Sequence, residues 1–414
     1  MFKKLISLIL ILAIVSACSC LLSACDSQPT SYTLTLVTSS ADNNSEVKYP
    51  YTINWDNNVF VTHPAVFSQT IARTSMILSA SAYDSELVMQ NLEALNFSQK
   101  AKFNYHSDYK DELVGVAMAS KIIDDTPVVL VVLRGTYEQE WYSNFDIGAE
   151  IKSTLTHNGF YNASQFVLDK INMYTQNYSI DKENARFVVT GHSRGGAVAN
   201  LVAKSLIDRY SSDKVYAYTF ATPNTTTSPD ATAQKYSSIF NFINPQDFIC
   251  HIPLNKWGFT KYGTTITFDA GSADSNNSDI INTVSNYYQK YTNSPLKSFD
   301  GTKSIIGFIE SAYKLAPTVD DYYNKKYKIS GLSLSLYDYM MTVSYLINNE
   351  NVLANGLIML GSDSSVFEPI TTFLLSGMNT DATMSELDFD NSLIAYAHMP
   401  QTYLAWLDTY IQNM

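Results

Sequence analysis

The stretch "ARFVVTGHSRGGAVANLVAKSL", residues 185–206, changes its hydrophobic period at a single serine. Phe187, Val188 and Val189 form a short β-branched and aromatic run, whereas Ala197, Val198, Leu201, Val202 and Leu206 recur at helical spacing. The pattern predicts a strand, a sharp turn and a helix. Gly191 and Gly195 flank Ser193 in a G-x-S-x-G arrangement, and without side chains they leave room for a turn that projects the serine hydroxyl. Gly196 extends that room, and the side chain of His192 is expected to diverge from its neighbour on the turn. A serine so placed sits at a helix N-terminus, where free N–H groups and the dipole favour developing negative charge. The geometry suits acyl transfer. The competing reading is a strand-to-helix turn with no chemistry.

A chain of 414 residues holds one large domain or two modest ones. Its first 24 residues are not expected in that core. "MFKKLISLILILAIVSACSCLLSAC" begins with two lysines, continues in an apolar run from Leu5 and ends in small residues before cysteine, the pattern of a secretory signal. Leu22, Ser23, Ala24 and Cys25 resemble a bacterial lipobox, which implies lipidation of Cys25, attachment to the membrane through it and exposure at the cell surface; Cys18 is a second candidate. Residues 25–45 read as a polar tether and 46–414 as the folded domain. Cleavage before Cys25 removes Lys3 and Lys4 and takes the formal net charge from −12 to −14. Such an acidic body argues against nucleic acid as a partner and against electrostatic docking on anionic lipid. Cys18 and Cys20 leave with the leader and Cys25 is the anchor, which leaves Cys250 in the exported domain, so no disulfide framework is expected. No Cys/His cluster suggests a metal and no glycine-rich loop with lysine suggests a phosphate site, so no cofactor is expected.

Residues 74–97 have helical periodicity; strands are expected around 113–123 and 127–133, a second amphipathic helix over 159–178, then the serine turn and strands at 215–221 and 239–243. Strands alternating with helices imply an α/β fold with a mainly parallel sheet covered on both faces. Residues 262–390 read as a mostly helical insertion with a polar loop at 269–279, either packing on the domain or partly capping its site.

A serine nucleophile needs a base, and the base needs an acid to fix its tautomer. Of six histidines, His398 follows all the other elements in a loop before a helix, where the last member of an α/β-hydrolase triad is expected. His63, His106 and His157 suit surface or structural roles, and His251 shares a turn with Asp247. Asp247 stands just past an apolar strand, at the end of the sheet where α/β sites lie; its alternative is a turn aspartate after Pro245. The chain order Ser193, Asp247, His398 is that of the α/β-hydrolases. For the oxyanion, one donor is the backbone N–H of Arg194; the other is Thr136, whose N–H and Oγ1 can face the site once Gly135 turns the chain after the strand ending at Leu133. Arg134 then reads as a structural ion-pair partner.

Taken together, "LRGT…W…N" (134–144), "HNGFY" (157–161), "VVTGHSRGGAVA" (188–199), "YTFATP" (218–223), "NPQDFICHIP" (244–253) and "H…YL" (398–404) resemble the class 3 lipases, the fungal-lipase-like α/β-hydrolases, over roughly 70–262 and 391–414. The resemblance implies a Ser193–Asp247–His398 triad, an oxyanion hole of Thr136 and Arg194, and hydrolysis of triacylglycerol or related carboxylic esters. Arg194 replaces the leucine common in that family, and a charge at the mouth of the site would favour an anionic head group, as in a phospholipase A1. In the family a short lid follows the oxyanion strand; Tyr137–Phe145 holds that place, with Trp141 and Phe145 as apolar contacts or as parts of a packed helix. A short-chain esterase or deacylase and a catalytically idle binding protein are the remaining alternatives.

Overall fold

The computed structural model describes residues 29–39, 46–105, 113–137, 140–148, 151–268, 278–296, 302–329, 332–347 and 397–414. The leader with Cys18 and Cys25, His106, the loop at 269–277 and residues 348–396 of the segment read as an insertion lie outside them.

The described chain begins with two antiparallel strands, β1 (Thr30–Ser39) and β2 (Glu46–Trp55), in register from Thr30 opposite Trp55. This corrects the tether reading of 25–45. In "TSYTLTLVTS" the threonines are β-branched, and Leu34, Leu36 and Thr38 alternate onto one buried face; the low apolar content hides a period of two. Helices α1 (Gln69–Ser81) and α2 (Ser85–Ala94) stand where one periodic segment is expected. Asp84 divides them, because its carboxylate accepts from the N–H groups of Glu86 and Leu87 at 2.8 and 3.1 Å and starts a new helix. Asn91 of α2 then fastens the strand pair, bonding both the N–H and the carbonyl of Thr35.

The central sheet has seven strands in chain order: β3 (Gln99–Phe103), β4 (Val116–Ile123), β5 (Thr126–Leu133), β6 (Arg186–His192), β7 (Val215–Phe220), β8 (Ile239–Ile243) and β9 (Thr264–Thr267). β3, β4 and β5 are antiparallel neighbours, and β5 through β9 are parallel. It is the mainly parallel α/β sheet that the alternating elements predict. β9 carries the sheet into the segment read as an insertion, so the chain leaves the sheet only after Thr267.

The central strands are apolar on both sides because both faces are covered. Val129, Val131, Phe187 and Val189 face a layer made by α5 (Asn158–Asn177) and α6 (Arg194–Tyr210), whose Phe160, Val167, Val198 and Val202 are buried. Leu130, Val132, Tyr218 and Phe242 face α1, the N-terminal strands, α7 (Ser278–Thr292) and the last helix, α11 (Pro400–Gln412). A third cluster joins Phe145 at the end of α3 (Trp141–Phe145), the helix before the short α4 (Ile151–Thr154), and the loop residues Phe248, Leu254 and Phe259 to α8 (Thr302–Leu315), α9 (Val319–Asn324) and α10 (Leu336–Ile347). The described part of the insertion therefore packs on the domain beside the carboxyl ends of the strands. No helix among the described residues is long and apolar enough to cross a membrane.

Candidate active site

Ser193 stands between β6 and α6 with φ 59° and ψ −129°, a conformation that side-chain-bearing residues rarely adopt. The surroundings enforce it. A Cβ on Gly191 would lie 2.3 Å from the carbonyl oxygen of Gly195, and one on Gly195 would lie 2.5 Å from the carbonyl oxygens of Leu133 and Arg134. The two glycines thus serve close backbone approach, with β5 pressed against the turn. The N–H of Ser193 donates to the carbonyl of Phe220 at 2.9 Å, fastening the turn to β7.

Two distant segments converge on this serine. His398, two residues before α11, places Nε2 2.9 Å from Ser193 Oγ and Nδ1 2.8 Å from Asp247 Oδ2. Asp247 follows β8 and is buried, whereas the His398 side chain keeps 25% of its surface exposed and so can meet a substrate. The carboxylate is crowded with donors: Tyr403 O–H at 2.7 Å, the N–H of Ile249 at 3.0 Å and the Cys250 thiol at 3.4 Å. Burial pushes the Asp247 carboxyl up, but the charge and hydrogen bond of His398, with the Tyr403 hydroxyl, outweigh it and hold the group below the usual carboxylate range. Its loop is pinned from below by Lys261, whose Nζ donates to Asn224 Oδ1 at 2.7 Å and to the Cys250 carbonyl at 2.8 Å.

Residues 130–257, which include the serine turn and Asp247, match the family model of the class 3 lipases. Over that stretch the chain is similar to the class 3 lipases. It is a carboxylic ester hydrolase with an α/β-hydrolase fold. Among solved structures, a triacylglycerol lipase described as having a serine protease triad for its catalytic centre is 19% identical, covering 58% of this chain and 91% of that one, with a TM-score of 0.39. The mono- and diacylglycerol lipase of Aspergillus oryzae is 17% identical, covering 51% and 83%, with a TM-score of 0.38. The lipase of Rhizopus microsporus var. chinensis is 16% identical, covering 57% and 81%, with a TM-score of 0.34.

The side chain after the serine is not at the mouth of the site, which corrects the sequence reading of Arg194. It is 1% exposed: Nη1 donates to Asn144 Oδ1 at 2.9 Å, Nε lies 3.9 Å from Glu140 Oε2, and the guanidinium is 5.7 Å from the Phe160 ring centroid. A buried, paired charge offers nothing to an anionic head group. Arg134 is the structural partner expected of it, donating to Glu140 Oε1 at 2.8 Å. Glu140 Oε2 also accepts from the N–H of Tyr137 at 2.8 Å, so one buried carboxylate ties the loop after β5 to both arginines. Thr136 is half-buried on that loop, and its Oγ1 accepts from Asn144 Nδ2 at 3.0 Å. Phe145 packs in the third cluster as part of a helix; the Trp141 side chain lies outside the described residues. Tyr403, Asn144, Glu140 and Lys261 are absent from the sequence-based set of site residues. Asn144 and Tyr403 lay inside the quoted motifs, whereas nothing local marked Glu140 or Lys261.

The remaining histidines divide by burial. His63 is half exposed, 3.8 Å from Asp213. His157 caps α5: Nδ1 accepts from the Phe160 N–H at 3.4 Å, which leaves Nε2–H to donate to the Asn144 carbonyl at 3.2 Å. His192 points away from Ser193, its Nε2–H donating to the His398 carbonyl at 2.8 Å and its Nδ1 accepting from Tyr83 O–H at 2.9 Å. It thereby locks the His398 loop onto the serine turn. Burial pushes His157 down to about 3, and burial together with His398 does the same to His192. Both folded values lie below the unfolded value of about 6.5. Between them the unfolded chain takes up protons that the folded chain refuses, so stability falls as pH falls through that window, by about 1.4 kcal/mol per unit per histidine. Urea unfolding should therefore show these two rings costing about 4 kcal/mol between pH 7.5 and pH 5, beside a further loss of the same sign from His251, which burial also pushes down, and His157→Asn should recover about 2 kcal/mol of it. A flat profile over that range overturns the neutral assignment of both rings.

Proposed function

We propose that this protein is a lipase of the class 3 kind, an exported, lipid-anchored serine hydrolase that cleaves acylglycerol esters through an acyl-enzyme on Ser193. The observation that carries the reading is the hydrogen-bonded line from Ser193 Oγ through His398 to Asp247. His398 Nε2 takes the serine proton as Oγ attacks the ester carbonyl carbon, and Asp247 stabilises the imidazolium and holds Nδ1–H in place. The backbone N–H groups of Arg194 and Thr136, with Thr136 Oγ1, receive the oxyanion. His398 then protonates the leaving alcohol, and water, deprotonated by the same ring, releases the fatty acid. Every proton in this cycle is handled by side chains of the chain itself. Export and anchoring rest on the leader and on the lipobox-like residues Leu22 to Cys25.

The test is hydrolysis of p-nitrophenyl esters from acetyl to palmitoyl by the full chain and by Cys25→Ser, with fractionation of the producing cells. An optimum at long chains supports the acylglycerol reading, and an optimum at acetyl or butyryl replaces it with a short-chain esterase. Cys25→Ser should keep activity but move it from the membrane to the soluble fraction; an unchanged distribution overturns the anchor at Cys25.

A further inference from the structure

The residue after the nucleophile is an arginine whose side chain runs inward, and the atoms it meets lead back to the site. Arg194 Nη1 donates to Asn144 Oδ1 at 2.9 Å. A guanidinium carries only donors, so the end of the amide that faces it must be the carbonyl oxygen. The opposite end, Nδ2, faces Thr136 Oγ1 at 3.0 Å and is itself only a donor. Thr136 Oγ1 therefore accepts from Asn144 and keeps its own proton for another partner. We propose that Arg194 and Asn144 are positioning residues that aim the Thr136 hydroxyl proton at the oxyanion. This inference rests on Thr136 being an oxyanion donor, as put forward above.

The relay is held at each step. The Asn144 carbonyl accepts from His157 Nε2 at 3.2 Å, which fixes the residue through its backbone while its side chain is fixed by Arg194. Arg194 in turn meets Glu140 Oε2 at 3.9 Å and donates through Nη2 to the Leu113 carbonyl at 3.4 Å. A leucine at position 194 would still present its backbone N–H at the turn, but it could not choose which end of Asn144 faces Thr136. One buried arginine thus supplies the first oxyanion donor from its backbone and orients the second through its side chain. Donors whose direction is set before the charge develops need no reorganisation during the reaction, and that preorganisation is what makes them effective.

Asn144→Asp tests the relay without changing the shape of the side chain. A carboxylate accepts from Arg194 as before but also accepts from Thr136, which turns the hydroxyl proton away from the substrate. The kcat for ester hydrolysis should fall about 10- to 100-fold with KM within about 2-fold of wild type, because a donor to the oxyanion acts in the transition state. In a Thr136→Val background, which should itself lose about 100-fold, the same change should cost less than about 2-fold. Arg194→Leu, which keeps the turn backbone, is the second variant and should show the same dependence on Thr136. Thermal unfolding of each variant separates a catalytic loss from a folding loss. Full kcat in Asn144→Asp and Arg194→Leu beside a loss in Thr136→Val overturns the relay and leaves the oxyanion role of Thr136 standing. Equal losses in both backgrounds reduce Asn144 and Arg194 to structural parts. Full activity of Thr136→Val overturns the oxyanion role and the relay together.

Discussion

Ser193→Ala should reduce ester hydrolysis by about 10⁴- to 10⁶-fold while leaving the fold intact, with the unfolding midpoint within a few degrees of wild type. The size of the loss follows from the covalent route proposed above. Without Oγ, His398 has no proton to take from the enzyme and no acyl-enzyme forms, so only the oxyanion donors and substrate binding remain to assist water. The fold should survive because the turn is held by backbone: the Ser193 N–H bonds the Phe220 carbonyl, and Gly191 and Gly195 pack against neighbouring carbonyls. Alanine meets the same backbone demand at φ 59° that serine already meets. His398→Ala should lose nearly as much, and the double variant little more than either alone, since the two side chains perform one step. Retention of more than about 1% of kcat by Ser193→Ala would sink the assignment of the nucleophile.

The second large effect concerns stability. Asp408→Ala should cost about 3–5 kcal/mol, read as a shift of the urea midpoint, because it strips a buried acceptor from three donors at once. Asp408, on α11, accepts from Tyr51 O–H at 2.8 Å through both oxygens, from Tyr291 O–H at 2.5 Å and from Arg73 Nε at 2.6 Å. These donors come from β2, α7 and α1, so one carboxylate joins four segments that lie apart in the sequence. Burial and the neighbouring carboxylate push both tyrosine hydroxyls far up, which keeps them protonated as donors. Removal leaves a cation and two hydroxyls without their acceptor, and α11 begins two residues after His398, so activity should fall along with stability. Asp408→Asn, which retains one acceptor oxygen, should lose less. A cost below about 1 kcal/mol in Asp408→Ala would show that the cluster is replaceable by water.

The sequence by itself determined the parts of this protein whose physics is local. A strand, a glycine-flanked serine and a helix follow one another within 185–206, and the backbone of that stretch turns as its composition requires. Alternation of strands and helices sufficed for the mainly parallel sheet, and the positions of Asp247 and His398 in the chain sufficed to nominate them, though His398 reaches Ser193 across 205 residues of chain and Asp247 across 151. Where the signal was weak, the local reading failed for a physical reason. Thr30–Ser39 carries too few apolar residues to announce a strand, and it becomes one because β2 and Asn91 satisfy its backbone. Only the tertiary structure decided the direction of the Arg194 charge. Its burial depends on a carboxylate from Glu140 and an amide from Asn144, contributed by α3 and the residue before it, and desolvating a guanidinium is tolerable only where such partners already wait. The same holds for Tyr403, Lys261 and Asp408: each is an ordinary polar residue in sequence, and each acquires its role because folding brings to it, away from water, a group that must be paired.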